Sequence, residues 1–170
     1  PLVRVSNMRW DRKEARRGDR VKMTADVEGL PDDIEVMLLV YEFDRDGAHD
    51  FVTKFPARVQ GGRIEAEWEF EYHEDTDEIP TDEEMRKTGG AYRPPEYFWT
   101  VGAGGTEFGR DGESGLLEFK DWVEVRFSDA AGKPITDRTL RVRLPDGSER
   151  SAKTDAQGSV RLEDVPPGKI

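Results

Sequence analysis

The chain has no cysteine and only two histidines in 170 residues. The first absence removes disulfides, thiolate metal sites and cysteine nucleophiles together, so small β domains in this chain are held by their sheets alone. His49 stands beside Asp50 and His73 beside Glu74. A zinc site would need both to converge with a carboxylate, and two ordinary surface or strand-end histidines are the simpler reading. No run approaches the ~20 apolar residues that a membrane-crossing helix needs, and Pro1-Leu-Val-Arg has no signal-peptide shape. Pro1 is not an initiator residue, so the chain reads as an excerpt of something longer. A hydrophobic share of 35% against 37% charge suits thin β cores and not one large globular core.

The net charge of −11 is unevenly placed. From Trp122 onward there are nine Lys/Arg and eight Asp/Glu, which leaves 17 of the chain's 26 basic residues and 29 of its 37 acidic ones in residues 1–121. Glu65 to Glu84 holds eleven carboxylates and no Lys or Arg, whereas Arg9 to Lys22 holds seven basic residues. Phosphate neutralisation needs a basic face, so nucleic acid is not an expected partner. The basic and acidic stretches read either as two solvated faces or as surfaces through which neighbouring copies meet.

What is present is period two. Ile64, Ala66, Trp68, Phe70 and Tyr72 alternate with Glu65, Glu67, Glu69 and Glu71, a pattern that a half-buried strand satisfies. Val21, Met23, Ala25 and Val27 alternate with Lys22, Thr24 and Asp26 in the same way. Ile34 to Phe43 is more uniformly apolar, as expected for a central strand. Phe51 to Phe55, Tyr97 to Ala103 and Leu116 to Phe119 complete roughly seven strands. No long helix is expected; Thr81 to Lys87 allows a turn or two, with Thr81 as N-cap and Glu84 closing a capping box. The alternation changes register at Asp121-Trp122 without a spacer, so one continuous stretch leaves a first domain and enters a second. The fold class is therefore all-β: two consecutive β-sandwich domains, 1–121 with an acidic insertion at about 73–95, and 122–170.

Within the insertion, Asp75-Thr-Asp77 has the start of a calcium loop. Pro80 stands where the sixth-position Gly belongs and Arg86 where the bidentate Glu belongs, which excludes an EF-hand. A looser calcium site of Asp75, Asp77, Glu78 and Asp82 stays open beside the reading of a solvated acidic loop. Gly102-Ala-Gly104-Gly105 misses dinucleotide spacing, since Glu107 takes the sixth place, and reads as a hairpin loop. Glu113-Ser114-Gly115 is a turn and not a nucleophile elbow. Paired carboxylates are expected by chance among 37. No catalytic residue, cofactor or enzyme activity is assigned.

The last third carries the strongest pattern: Trp122 to Phe127, Asp129-Ala-Ala-Gly-Lys-Pro134, Leu140 to Leu144, Pro145-Asp-Gly147, Asp155-Ala-Gln-Gly158 and Val165-Pro-Pro-Gly168. Short strands are joined by Asp/Gly/Pro turns, and Asp146-Gly147 predicts a two-residue type I′ hairpin. This order resembles the transthyretin-like, or carboxypeptidase-regulatory-like, β domain appended to bacterial type VI secretion spikes and related contractile-injection or phage-tail proteins. Trp10, Arg17-Gly18-Asp19, Val27 to Pro31, Tyr41-Glu42 and Asp46-Gly47 are similar to the immunoglobulin-like segment that precedes such domains. The family's pattern continues past Pro-Pro-Gly into another strand, so the resemblance implies a last strand that is cut off or supplied by a partner at a sheet edge near Val160 to Leu162.

The resemblance implies a non-catalytic docking adaptor that binds a secreted effector or a spike component, made in the bacterial cytoplasm and then exported or particle-associated. Self-assembly into a surface filament and carbohydrate binding as an accessory domain are the alternatives. The residues singled out for partner contact are Tyr92, Pro94, Pro95, Tyr97 and Trp99, an aromatic and proline-rich run beside the acidic loop, together with Val160 and Leu162 at the edge. Tyr92, Tyr97 and Trp99 also carry the carbohydrate reading.

Overall fold

The computed structural model describes residues 2–70 and 94–166. All regular structure among them is β: β1 (Arg4–Trp10), β2 (Glu14–Ala15), β3 (Arg20–Glu28), β4 (Glu35–Glu42), β5 (Asp50–Gln60), β6 (Arg63–Glu69), β7 (Glu96–Ala103), β8 (Thr106–Phe108), β9 (Leu117–Phe119), β10 (Asp121–Arg126), β11 (Thr139–Arg143), β12 (Glu149–Lys153) and β13 (Ser159–Val165). The chain divides into two units, with one break between Phe119 and Lys120.

The first unit is one curled sheet in the order β1-β3-β6-β5-β4-β7-β9-β2, with β8 against β7. The curl lies in β5. Asp50 to Arg58 pair with β4, whereas Val59 and Gln60 pair with β6. Pro56, which has no N–H to give, stands opposite Met37 in the stretch that has β4 as its registered neighbour, where a missing donor costs no second ladder. The Gln60–Gly61–Gly62–Arg63 hairpin is tight because both glycines take positive φ, 57° and 70°, the type I′ geometry that matches strand twist.

Curling brings the alternating apolar residues of distant strands into one core. Val21, Met23, Ala25 and Val27 of β3 meet Ile64 and Trp68 of β6, Val36, Leu38 and Val40 of β4, and Tyr97, Trp99 and Val101 of β7. Its centre is aromatic: Trp10 lies 6.0 Å from Trp68 and 6.5 Å from Trp99, and Phe70 lies 5.2 Å from Tyr97 and 4.8 Å from Phe119. Each such side chain removed from water stabilises the fold by about 2–3 kcal/mol, with a further increment from tilted and edge-to-face ring contacts. Trp10 donates its Nε1–H to the Gly115 carbonyl at 3.2 Å. The glutamate side of β6 faces out, as expected from period two. It does so beside basic residues of its own chain, because β3 pairs antiparallel with β6 and sets Lys22 by Glu65 (3.7 Å) and Arg20 by Glu67 (3.9 Å).

In the second unit β10 pairs with β13 and β11 with β12. Leu144, Val160, Leu162 and Val165 form its core, with Val123, Phe127, Leu140, Val142 and Ala152 packed against them. A register shift in the β10–β13 ladder falls between Asp121 and Val123, where the sequence alternation also changes. One local expectation is corrected. The Leu144–Ser148 hairpin is not a two-residue type I′ turn: Gly147 alone has positive φ, 83°, and its N–H bonds to the Leu144 carbonyl at 2.9 Å while Leu144 N–H bonds to Ser148 O at 2.8 Å. Pro145 presets the φ of the first central position of a type I turn, so Asp146 stays right-handed and the glycine follows as a bulge. Asp155-Gly158 and Asp129-Gly132 close in the same way, each aspartate accepting two backbone N–H groups on its carboxylate.

Candidate functional site

Period two sends Val36, Leu38 and Val40 of β4 inward and leaves Met37, Leu39 and Tyr41 on the opposite face; on β7 it sends Tyr97, Trp99 and Val101 inward and leaves Phe98 and Thr100 outside. The antiparallel register sets Tyr41 opposite Phe98 and Leu39 opposite Thr100. The rings of Tyr41 and Phe98 stack at 5.4 Å. Phe51 meets Tyr41 edge-on at 5.9 Å, His49 meets Phe98 edge-on at 4.8 Å, and Phe43 stacks on His49 at 5.1 Å. Covered by these neighbours, Phe98 is 2% exposed although it points away from the core, whereas Phe43 and Phe51 are 38% and 46% exposed. Solvent-facing rings gathered on one sheet face are the kind of patch that marks a binding surface.

A polar group closes one side. The β7–β8 hairpin turns on Gly104 and Gly105, both at positive φ, and so brings Glu107 back over β7. Its carboxylate accepts hydrogen bonds from the Tyr41 hydroxyl (2.7 Å), the Thr100 hydroxyl (2.6 Å) and the Arg110 guanidinium (3.2 Å). Desolvation pushes the Glu107 pKa up, but the Thr100 and Tyr41 hydrogen bonds and the Arg110 charge outweigh it and hold the group below its ordinary 4.5. Tyr41 shifts the other way, above 10.0, through its own desolvation and then the hydrogen bond and charge of Glu107. On the other side the loop after β4 folds over Asp44–Gly47, and His49 Nδ1 accepts the Asp44 N–H at 2.9 Å. Between the two sides lies an open recess of about 330 Å³ lined by Tyr41, His49, Phe98, Thr100, Arg110 and Asp111 with the Gly47–Ala48 backbone.

The residues that the sequence singled out are not brought together here. Tyr97 and Trp99 are fully buried in the core, which corrects their placement on a contact surface: the strand that carries them alternates, and the curl turns their side inward. Pro95 is buried and its carbonyl accepts the Phe119 N–H at 2.9 Å, while Pro94 is half-buried. Val160 and Leu162 are core side chains of the second unit, so only their backbone is left for an edge contact. Tyr92, Asp75, Asp77, Glu78 and Asp82 lie outside the described residues, as does His73. Among the described residues no group of three or more His, Asp or Glu is arranged to hold a metal ion. No helix there is long and apolar enough to cross a membrane. The signal for the recess was present as the outward half of the β4 and β7 alternation, but joining Tyr41 to Phe98 needs the strand pairing.

No family model matches the chain, and no curated protein matches it. Among solved structures it is similar to the Pseudomonas fluorescens alkylpurine DNA glycosylase AlkC bound to DNA containing an abasic site analog, at 13% identity and a TM-score of 0.37, covering 69% of this chain and 30% of that one. It is also similar to trypsin-activated alpha-2-macroglobulin from Escherichia coli, at 10% identity and a TM-score of 0.35, covering 94% of this chain and 13% of that one. The chain thus spans less than a third of either neighbour, and likeness at this level carries no argument about function.

Proposed function

We propose that this chain is a docking adaptor without catalytic function, an immunoglobulin-like sandwich followed by a transthyretin-like domain, which joins an effector or a further component to a bacterial contractile-injection or phage-tail spike. The supporting observation is the state of β13. It is registered with β10 on one side, from Asp121↔Val165 to Arg126↔Ser159. No strand among the described residues pairs with its other side, where Arg150 donates to the carbonyls of Glu163 and Asp164. A strand held by its core side chains, with no second strand neighbour among the described residues, is suited to augmentation by an extended segment of another chain.

Amide hydrogen exchange of the chain, alone and mixed with spike and effector proteins of bacterial contractile-injection machines, tests this reading. The expected result is slowed exchange over Ser159 to Glu163 when one of them is added. Absence of binding to all of them, or binding with protection confined to other strands, overturns it.

A further inference from the structure

We propose that the recess over β4 and β7 is a saccharide site, which takes a pyranose unit of a neutral polysaccharide. The site lies within the first unit and does not depend on the docking role. The argument starts from which hydrogen-bonding groups the recess still offers. The hydroxyls of Tyr41 and Thr100 spend their protons on Glu107, at 2.7 and 2.6 Å, so Tyr41 presents a ligand with acceptor lone pairs only. His49 accepts the Asp44 N–H on Nδ1, which leaves its ring proton on Nε2 as a donor. Arg110 gives one nitrogen to Glu107 and donates at the others, and Asp111 accepts.

Donors on His49 and Arg110 and acceptors on Tyr41 and Asp111 therefore line one recess of about 330 Å³, a volume at the small end of ligand clefts. A ligand that satisfies them must give and receive hydrogen bonds at adjacent points. Vicinal hydroxyls do this, each atom being donor and acceptor, and their spacing suits the planar forks of Arg110 and Asp111. Arg110, Glu107 and Asp111 together leave an excess of one negative charge, which disfavours an anionic ligand. Apolar area completes the match. Phe43 and Phe51, partly exposed and in contact with the recess-lining His49 and Tyr41, offer apolar ring area beside the recess against which the C–H face of a pyranose packs. An apolar protein side chain would satisfy the rings but leave the polar groups unanswered, a cost in any buried contact.

The test is native affinity electrophoresis of the whole chain through gels containing soluble β-glucan, xyloglucan, galactomannan or glycol chitin, beside Phe51→Ala and Arg110→Ala. Both side chains are largely exposed, and an unchanged thermal midpoint verifies that the variants fold. The expected result is retardation by at least one of these polysaccharides, weakened about tenfold or more in each variant. Absence of retardation in all four gels overturns the proposal. So does retardation that survives both substitutions, or a loss in the variants of binding to a spike or effector protein without any polysaccharide binding by the parent chain.

Discussion

Gly158 has φ of +74°, and a Cβ built on it would lie 2.5 Å from the Phe127 carbonyl oxygen, which already accepts the Ile135 N–H at 3.0 Å. Two costs thus fall on one residue, a left-handed backbone and a collision with backbone that is itself hydrogen-bonded. Gly112 has φ of +79° and open space around its Cα, so only the first cost applies. Gly112→Ala is expected to destabilise by about 1 kcal/mol and Gly158→Ala by about 3 kcal/mol or more. Chemical denaturation of the two variants checks the order; equal losses would mean that the Phe127 segment yields freely. Neither difference is visible in the sequence, where both glycines end similar polar turns.

At the scale of the element, β7 is the strand that links core and surface. Its inward residues Tyr97, Trp99 and Val101 hold the curled sheet, and its outward Phe98 and Thr100 build the recess. Glu107, delivered by the β7–β8 hairpin, makes this arrangement sensitive to pH. Its folded pKa lies below 4.5, so its stabilising contribution is present above the unfolded value near 4.5 and is lost as pH falls through the folded one. The thermal midpoint of Glu107→Gln is therefore expected to lie below that of the parent at pH 7, with the gap narrowing as pH falls below 4.5. A gap independent of pH would show that the carboxylate charge is not what the Tyr41 and Thr100 hydroxyls hold. Tyr41, raised above 10.0, has the opposite sign: its contribution is present below pH 10 and is lost as pH rises beyond it.

At the scale of the whole molecule, the placement of charge bears on self-assembly. The basic stretch from Arg9 to Lys22 and the acidic stretch from Glu65 to Glu84 suggested contact between copies; of the latter Glu65 to Phe70 lies among the described residues, where β3 and β6 are neighbours in one sheet and Lys22 and Arg20 meet Glu65 and Glu67 within the chain. Exposed pairs of this kind contribute about 0–1 kcal/mol each, and Arg20, Lys22, Glu65 and Glu67, already paired within the chain, have less to offer an ionic interface between copies. Light scattering is expected to give the same mass at low salt and at ~0.5 M salt, where exposed charges are almost fully screened. Ordered multimers that dissociate with salt would return the filament reading to first place.

The sequence by itself determined the all-β class and most strands, because alternation over five or more residues admits one answer when one face is buried. It placed β3, β4, β6 and β7 within a residue or two at most ends, and the Asp-x-x-Gly turns that close the second unit. It did not reach β1, β2 or the full length of β5, whose Pro56 reads as a break until the missing second neighbour is seen. The Asp146-Gly147 turn departs from the type I′ expectation because Pro145 fixes φ one residue ahead of the dipeptide. For β4 and β7, apolar on both faces, only the tertiary structure decided which half lies inside, and it was this that placed Tyr97 and Trp99 in the core. It also decided that Tyr41, His49, Phe98, Glu107 and Arg110, spread over 70 residues, share one recess: strand register and the curl at β5 are products of long-range pairing, which no local spacing encodes.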